Sequence, residues 1–164
     1  MALNLEKVTF GYSREEDRIF IDGQVSGHAT IRCWFTERIL RQLVPHLLES
    51  DRDGQPKKDG ATGSGRSHGV SDSLAEEAVV YSAGDPKILV TAIDIHTDNL
   101  KTVLIFRGNS DELQAGISLD VEAMRLWIGA LKSTYALAAW PQSVWLKRQE
   151  SPAVGSPPGP VTIH

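Results

Sequence analysis

In the stretch ATIRCWFTERILRQLVPHLLE, Ala29, Ile31, Cys33 and Phe35 fall on alternate positions, the period of a half-buried strand. The spacing then changes. Ile39, Leu40, Leu43, Val44 and Leu47 follow at helical intervals, and Thr36 stands at the junction as an N-cap. Pro45 lies too deep for a first-turn proline and lacks a backbone donor, so the pattern predicts a kink or break there.

The same succession recurs 84 residues later. Leu113, Ala115, Ile117 and Leu119 alternate, Asp120 takes the cap position, and Ala123, Met124, Trp127, Ile128 and Leu131 continue as a helix. That helix is predicted to be the longer of the two and to stop near Trp140, before Pro141. Upstream, Ile19 and Ile21 match Val103 and Ile105. With one extra residue in the first copy, Val8 and Phe10 match Ile93 and Ile95. The segment LAEEAVVYS reads as a short helix or edge strand leading into the second copy.

A strand–strand–strand–helix unit occurring twice accounts for this spacing. The expected fold is α+β: two antiparallel meanders, each followed by a helix. They would form one pseudo-symmetric domain or a two-sheet sandwich with the helices outside. Residues 1–149 then make a single domain of two halves, 1–49 and 74–149. The joining residues 50–73 are rich in glycine and serine, with Val70 their only large apolar side chain. They cannot offset their ordering entropy and read as a flexible linker. Residues 150–164, dense in proline and glycine, read as a disordered tail.

Charge narrows the choice of partner. There are 17 basic and 21 acidic side chains, net −4, spread evenly along the chain. No segment forms the basic stripe that a phosphate backbone attracts, which argues against nucleic acid. No stretch approaches the ~18 apolar residues of a membrane span. The start, MALNLEKVTF, carries Glu6 and Lys7 where a signal peptide needs an apolar run. Cys33 is the single cysteine, so no internal disulfide can form. The expectation is a soluble cytoplasmic protein.

Three motifs resemble catalytic or ligand-binding signatures. In GATGSGRS, Gly60, Gly65 and Ser67 match a phosphate-binding loop, with Arg66 in place of its lysine. Such a loop holds phosphate because a buried strand and a helix N-terminus pin it. The flanking SDRDGQPKKD and HGVSDS supply neither, so nucleotide binding through Gly60–Ser67 is the least favoured reading. The overlapping GRSHG imitates a nucleophile elbow but lacks the strand-to-helix turn that strains the serine. In IDIHTD, Asp94, His96 and Asp98 share one strand face and form a donor set suited to a divalent metal. Same-face neighbours stand roughly 7 Å apart, so they need help to meet one ion. The alternative is a solvated strand face with a turn at Asp98-Asn99. The other carboxylates have structural assignments: Asp120 and Glu122 at a cap, Asp22 and Asp111 in turns.

If the alternating set faces the helices, the opposite face carries Phe20, Arg32 and Trp34 in the first half and Leu104 and Phe106 in the second. A surface meant for water does not carry such residues. Either the halves bury them together, or they meet a protein partner or a second copy. Trp140 and Trp145 read as a lid on the core. The functional expectation is a non-catalytic interaction protein, an adaptor or a subunit of an assembly. It needs no cofactor. The alternative is a small metal-dependent enzyme or ligand sensor using Asp94, His96 and Asp98.

Overall fold

The computed structural model describes residues 2–26, 29–53, 77–98, 100–109, 113–146 and 160–164. The first half consists of β1 (Ala2–Ser13), β2 (Arg18–Val25), β3 (Thr30–Phe35) and α1 (Glu37–Asp53). The second begins with β4 (Lys87–Leu89) and continues through β5 (Ala92–Thr97), β6 (Lys101–Arg107), β7 (Gln114–Asp120) and α2 (Val121–Leu137). A 3-10 turn at Gln142–Trp145 and a final strand, β8 (Val161–Ile163), complete it. The fold is α+β: one mixed sheet of eight strands, in the order β4-β3-β2-β1-β7-β6-β5-β8, with two helices.

Within each half the strands pair antiparallel, as expected of meanders. Two parallel contacts join the halves: Ala2–Asn4 of β1 beside β7, and β4 beside Arg32–Trp34 of β3. Only Val90 and Thr91 separate β4 from β5. Val90 donates its N–H to the Trp34 carbonyl and Thr91 to the Arg107 carbonyl, so the chain passes from one half of the sheet to the other within two residues. The helices pack against each other; α2 lies on β1 and β7, and α1 on β5 and β8. Phe35 and Phe106 meet edge-on at 5.1 Å and tie the two halves within one core.

The helix starts follow the caps. Thr36 Oγ1 accepts from the Ile39 amide at 3.4 Å, and Asp120 Oδ1 from the Ala123 amide at 2.8 Å. At Pro45 the chain does not break: α1 runs unbroken to Asp53. A mid-helix proline costs roughly 3 kcal/mol. Leu40, Leu43, Val44 and Leu47 are all fully buried around it, and each contributes roughly 1.5–3 kcal/mol by leaving water. Burial outweighs the lost hydrogen bond. The same helix reaches into the expected linker, since residues 50–53 are helical; the remainder, 54–73, lies outside the described residues. The second helix is no longer than the first and ends at Leu137, with Ala138 as its C-cap. Of LAEEAVVYS, residues 77–82 form neither helix nor strand. At the end of the expected tail, β8 pairs antiparallel with β5 and Ile163 enters the core.

One correction changes a whole strand face. Leu104 and Phe106 are fully buried, while Val103 and Ile105 are only half-buried on the opposite side. Register explains the reversal. The last ladder pairs are Gln24 with Thr30 and Arg107 with Gln114, so six residues, 108–113, separate the second pair where five, 25–29, separate the first. A one-residue slip turns every side chain of a strand to its other face. Val103 and Ile105 therefore do not occupy the places of Ile19 and Ile21.

Candidate functional site

The outer face of the first half, away from the helices, is built from two cross-strand pairs. Phe20 lies opposite Trp34, and Asp22 opposite Arg32. Alternation along β2 and β3 puts Phe20, Asp22, Arg32 and Trp34 on one surface. The two rings meet at 5.3 Å and 67°. Phe20 also lies across β1 at Gly11, where a Cβ would overlap its ring, so glycine is required for that contact.

Arg32 organises the cluster. Its Nε donates to Asp22 Oδ1 at 2.6 Å and its Nη2 to Oδ2 at 2.7 Å, a two-pronged, charge-assisted pair. This bonding raises the guanidinium pKa above its ordinary value, against the opposing effect of burial. The guanidinium carbon stands 4.1 Å from the Phe20 ring centre, 4.3 Å from Tyr81 and 5.3 Å from Trp34. Each such cation–π contact contributes roughly 0.5–2 kcal/mol, more where water is excluded.

Tyr81 reaches this face on residues 77–86, a strap across the sheet. At one end the Val79 amide donates to Thr9 Oγ1 of β1 at 2.9 Å. At the other, the Arg32 amide donates to the Pro86 carbonyl at 3.1 Å. Asp85 pins the strap by accepting from the Thr30 hydroxyl and the Ser82 amide, and these bonds hold its carboxyl below the usual aspartate pKa. The Tyr81 hydroxyl donates to the Asp85 carbonyl at 3.0 Å. Phe20 and Trp34 nevertheless stay only half-buried.

Of the five residues expected on an apolar outer face, the structure thus brings together Phe20, Arg32 and Trp34; Leu104 and Phe106 lie in the core. Two members of the cluster were not anticipated. Asp22 lies inside β2 instead of a turn, and its shared phase with Phe20 is the signal that could have identified it. Tyr81 is distant in sequence and carries no such signal.

In the Asp94, His96 and Asp98 row, both carboxylates hold structural hydrogen bonds. Asp94 Oδ1 accepts from Arg107 Nη2 at 2.8 Å and from Thr162 Oγ1 at 2.6 Å. Asp98 lies beyond the end of β5 and accepts from the Leu100 and Lys101 amides, which close the expected turn and lower its carboxyl pKa. His96 is exposed on the strand between them. Among the described residues, no three His, Cys, Asp or Glu side chains converge as a metal centre requires. The glycine-rich 60–67 segment and the GRSHG motif lie outside the described residues. Among those described, no helix is long and apolar enough to cross a membrane.

Comparison with protein-family models, curated proteins and solved structures finds no match to this chain.

Proposed function

We propose that the protein is a non-catalytic interaction protein, an adaptor or a subunit of an assembly. It meets a protein partner through the outer face of β2 and β3 around Phe20, Arg32 and Trp34. The observation that carries this reading is the Asp22–Arg32 pair, which holds a guanidinium against Phe20 and Trp34 while both residues remain only half-buried. Aromatic residues and arginine dominate interface hot spots. A side chain already fixed by its neighbours loses little further freedom on binding. The matching order of strands and helices also supports reading the two halves as copies of one unit; among the described residues, this aromatic–arginine surface belongs to the first.

The test compares wild type with Trp34→Ala and Phe20→Ala in affinity capture from a cell extract, after thermal melting shows each variant folded. A protein retained by wild type and lost from both variants is the expected result. Retention that both variants leave unchanged overturns the assignment of this face.

A further inference from the structure

We infer that the open edge of β1, at Val8–Gly11, accepts an added strand, and that its occupant is β1 of a second copy of this chain.

β1 is a central strand for only part of its length. On one side β2 pairs with it as far as Ser13, whereas on the other β7 covers only Ala2–Asn4. Among the described residues, no strand lies along Val8–Ser13 on that second side. Such an edge presents unpaired N–H and C=O groups, a template for another chain.

The second half shows what fills such an edge. Its matching strand is β5, identified through the ladder: Phe10 pairs with Ile21 and Ile21 with Cys33, as Ile95 pairs with Leu104 and Leu104 with Ile117. Val8, Thr9 and Phe10 therefore stand where Ile93, Asp94 and Ile95 do. On β5 the edge is occupied by β8, antiparallel, with Ile163 opposite Ile93, Thr162 opposite Asp94 and Val161 opposite Ile95. Ile93 and Ile95 are buried, whereas Val8 and Phe10 are only half-buried. Among the described residues, the site on β1 is thus the site on β5 without its covering strand.

The nature of the occupant follows from β8 itself. Its triplet is Val161-Thr162-Ile163, two apolar side chains flanking a hydroxyl; β1 carries the same arrangement, Val8-Thr9-Phe10, at the open edge. Two copies of β1 related by a twofold axis would pair antiparallel with Thr9 opposite its counterpart and Val8 opposite Phe10. That is the register β8 adopts on β5. Antiparallel edge pairing is self-complementary, so it closes as a dimer. This surface is separate from the outer face around Trp34 and stands or falls independently of it.

The test uses the full chain. Light scattering coupled to gel filtration is expected to give twice the 18.0 kDa chain mass for wild type. Val8→Lys, placing a charge beside the edge, is expected to give the monomer mass while circular dichroism shows the fold retained; its melting point falls, because Val8 packs against the core and the dimer no longer adds to stability. Thr9→Cys is expected to form a disulfide-linked dimer under mild oxidation, because residues facing each other across an antiparallel pair lie within disulfide reach. Ser13→Cys, away from the axis, should not. Native Cys33 is fully buried and supplies no competing thiol. A monomer at all concentrations overturns the inference, as does a dimer that survives Val8→Lys but is lost in Trp34→Ala. Failure of Thr9→Cys to cross-link in a wild-type-like dimer overturns the register.

Discussion

Arg32 donates two hydrogen bonds, of 2.6 and 2.7 Å, to Asp22 on the neighbouring strand, and Asp22 is only 4% exposed. Removing the guanidinium would leave a nearly buried carboxylate without its cation. Because Arg32 keeps some contact with water, the cost falls below that of a fully buried pair. Arg32→Ala is expected to destabilise the fold by about 2–3 kcal/mol. Arg32→Lys should recover only part of this, since an ammonium cannot form the fork. Urea unfolding checks both through a shifted midpoint at unchanged slope.

The inverted face of β6 makes an unequal pair of predictions. Phe106→Ala should cost about 3–5 kcal/mol by leaving a cavity against Phe35. Val103→Ala, on the half-buried side, should cost under about 1 kcal/mol. Equal losses in chemical denaturation would contradict the register.

Cys33 offers a probe of opening. Burial pushes its thiol up to about 12, so at pH 8 the folded chain holds it neutral and enclosed. An aromatic disulfide reagent should react only at the rate of unfolding, and at once in denaturant. The pH dependence follows from sign. The folded value exceeds the ~8.5 of an unfolded chain, so the neutral thiol's contribution is intact below pH ~8.5. It declines as pH rises towards the folded value.

Asp17 closes the β1–β2 turn at φ 47°, in the left-handed region that aspartate and asparagine tolerate better than alanine. Its Oδ1 accepts from the Tyr12 hydroxyl at 2.7 Å and from Trp140 Nε1 at 3.2 Å, in that order lowering its pKa. A depressed carboxylate stabilises above the unfolded pKa of ~3.9 and loses that contribution as pH falls through the folded value. Asp17→Asn should therefore melt below wild type at pH 6, with the gap closing under strongly acid conditions. Asp17→Ala should melt lower still, because it adds backbone strain.

Pro45 remains a cost within an otherwise well-buried helix. Pro45→Ala restores a backbone donor and is expected to stabilise the protein by about 1–3 kcal/mol in urea unfolding.

The candidate surface was only partly legible in the amino-acid order. Phe20, Arg32 and Trp34 could be placed on one face because hairpin neighbours obey a two-residue period. Tyr81 could not, since a strap without regular structure has no period to read. The shared strand face of Asp94 and His96 could be read from their spacing, whereas the bonds from Arg107, Thr162 and the turn amides to Asp94 and Asp98 could not.

Local patterns by themselves determined the helix starts at Thr36 and Asp120, the strand–strand–strand–helix order and the burial of Ile31, Cys33 and Phe35. Those features depend on residues a few positions apart, whose spacing selects strand or helix and whose caps satisfy open amides. Tertiary structure alone decided that α1 continues through Pro45, that β6 turns Leu104 and Phe106 inward, and that the last residues return as β8. Each of these outcomes is set by burial against distant segments, and free energy gained across the fold is not written in the period of any one segment.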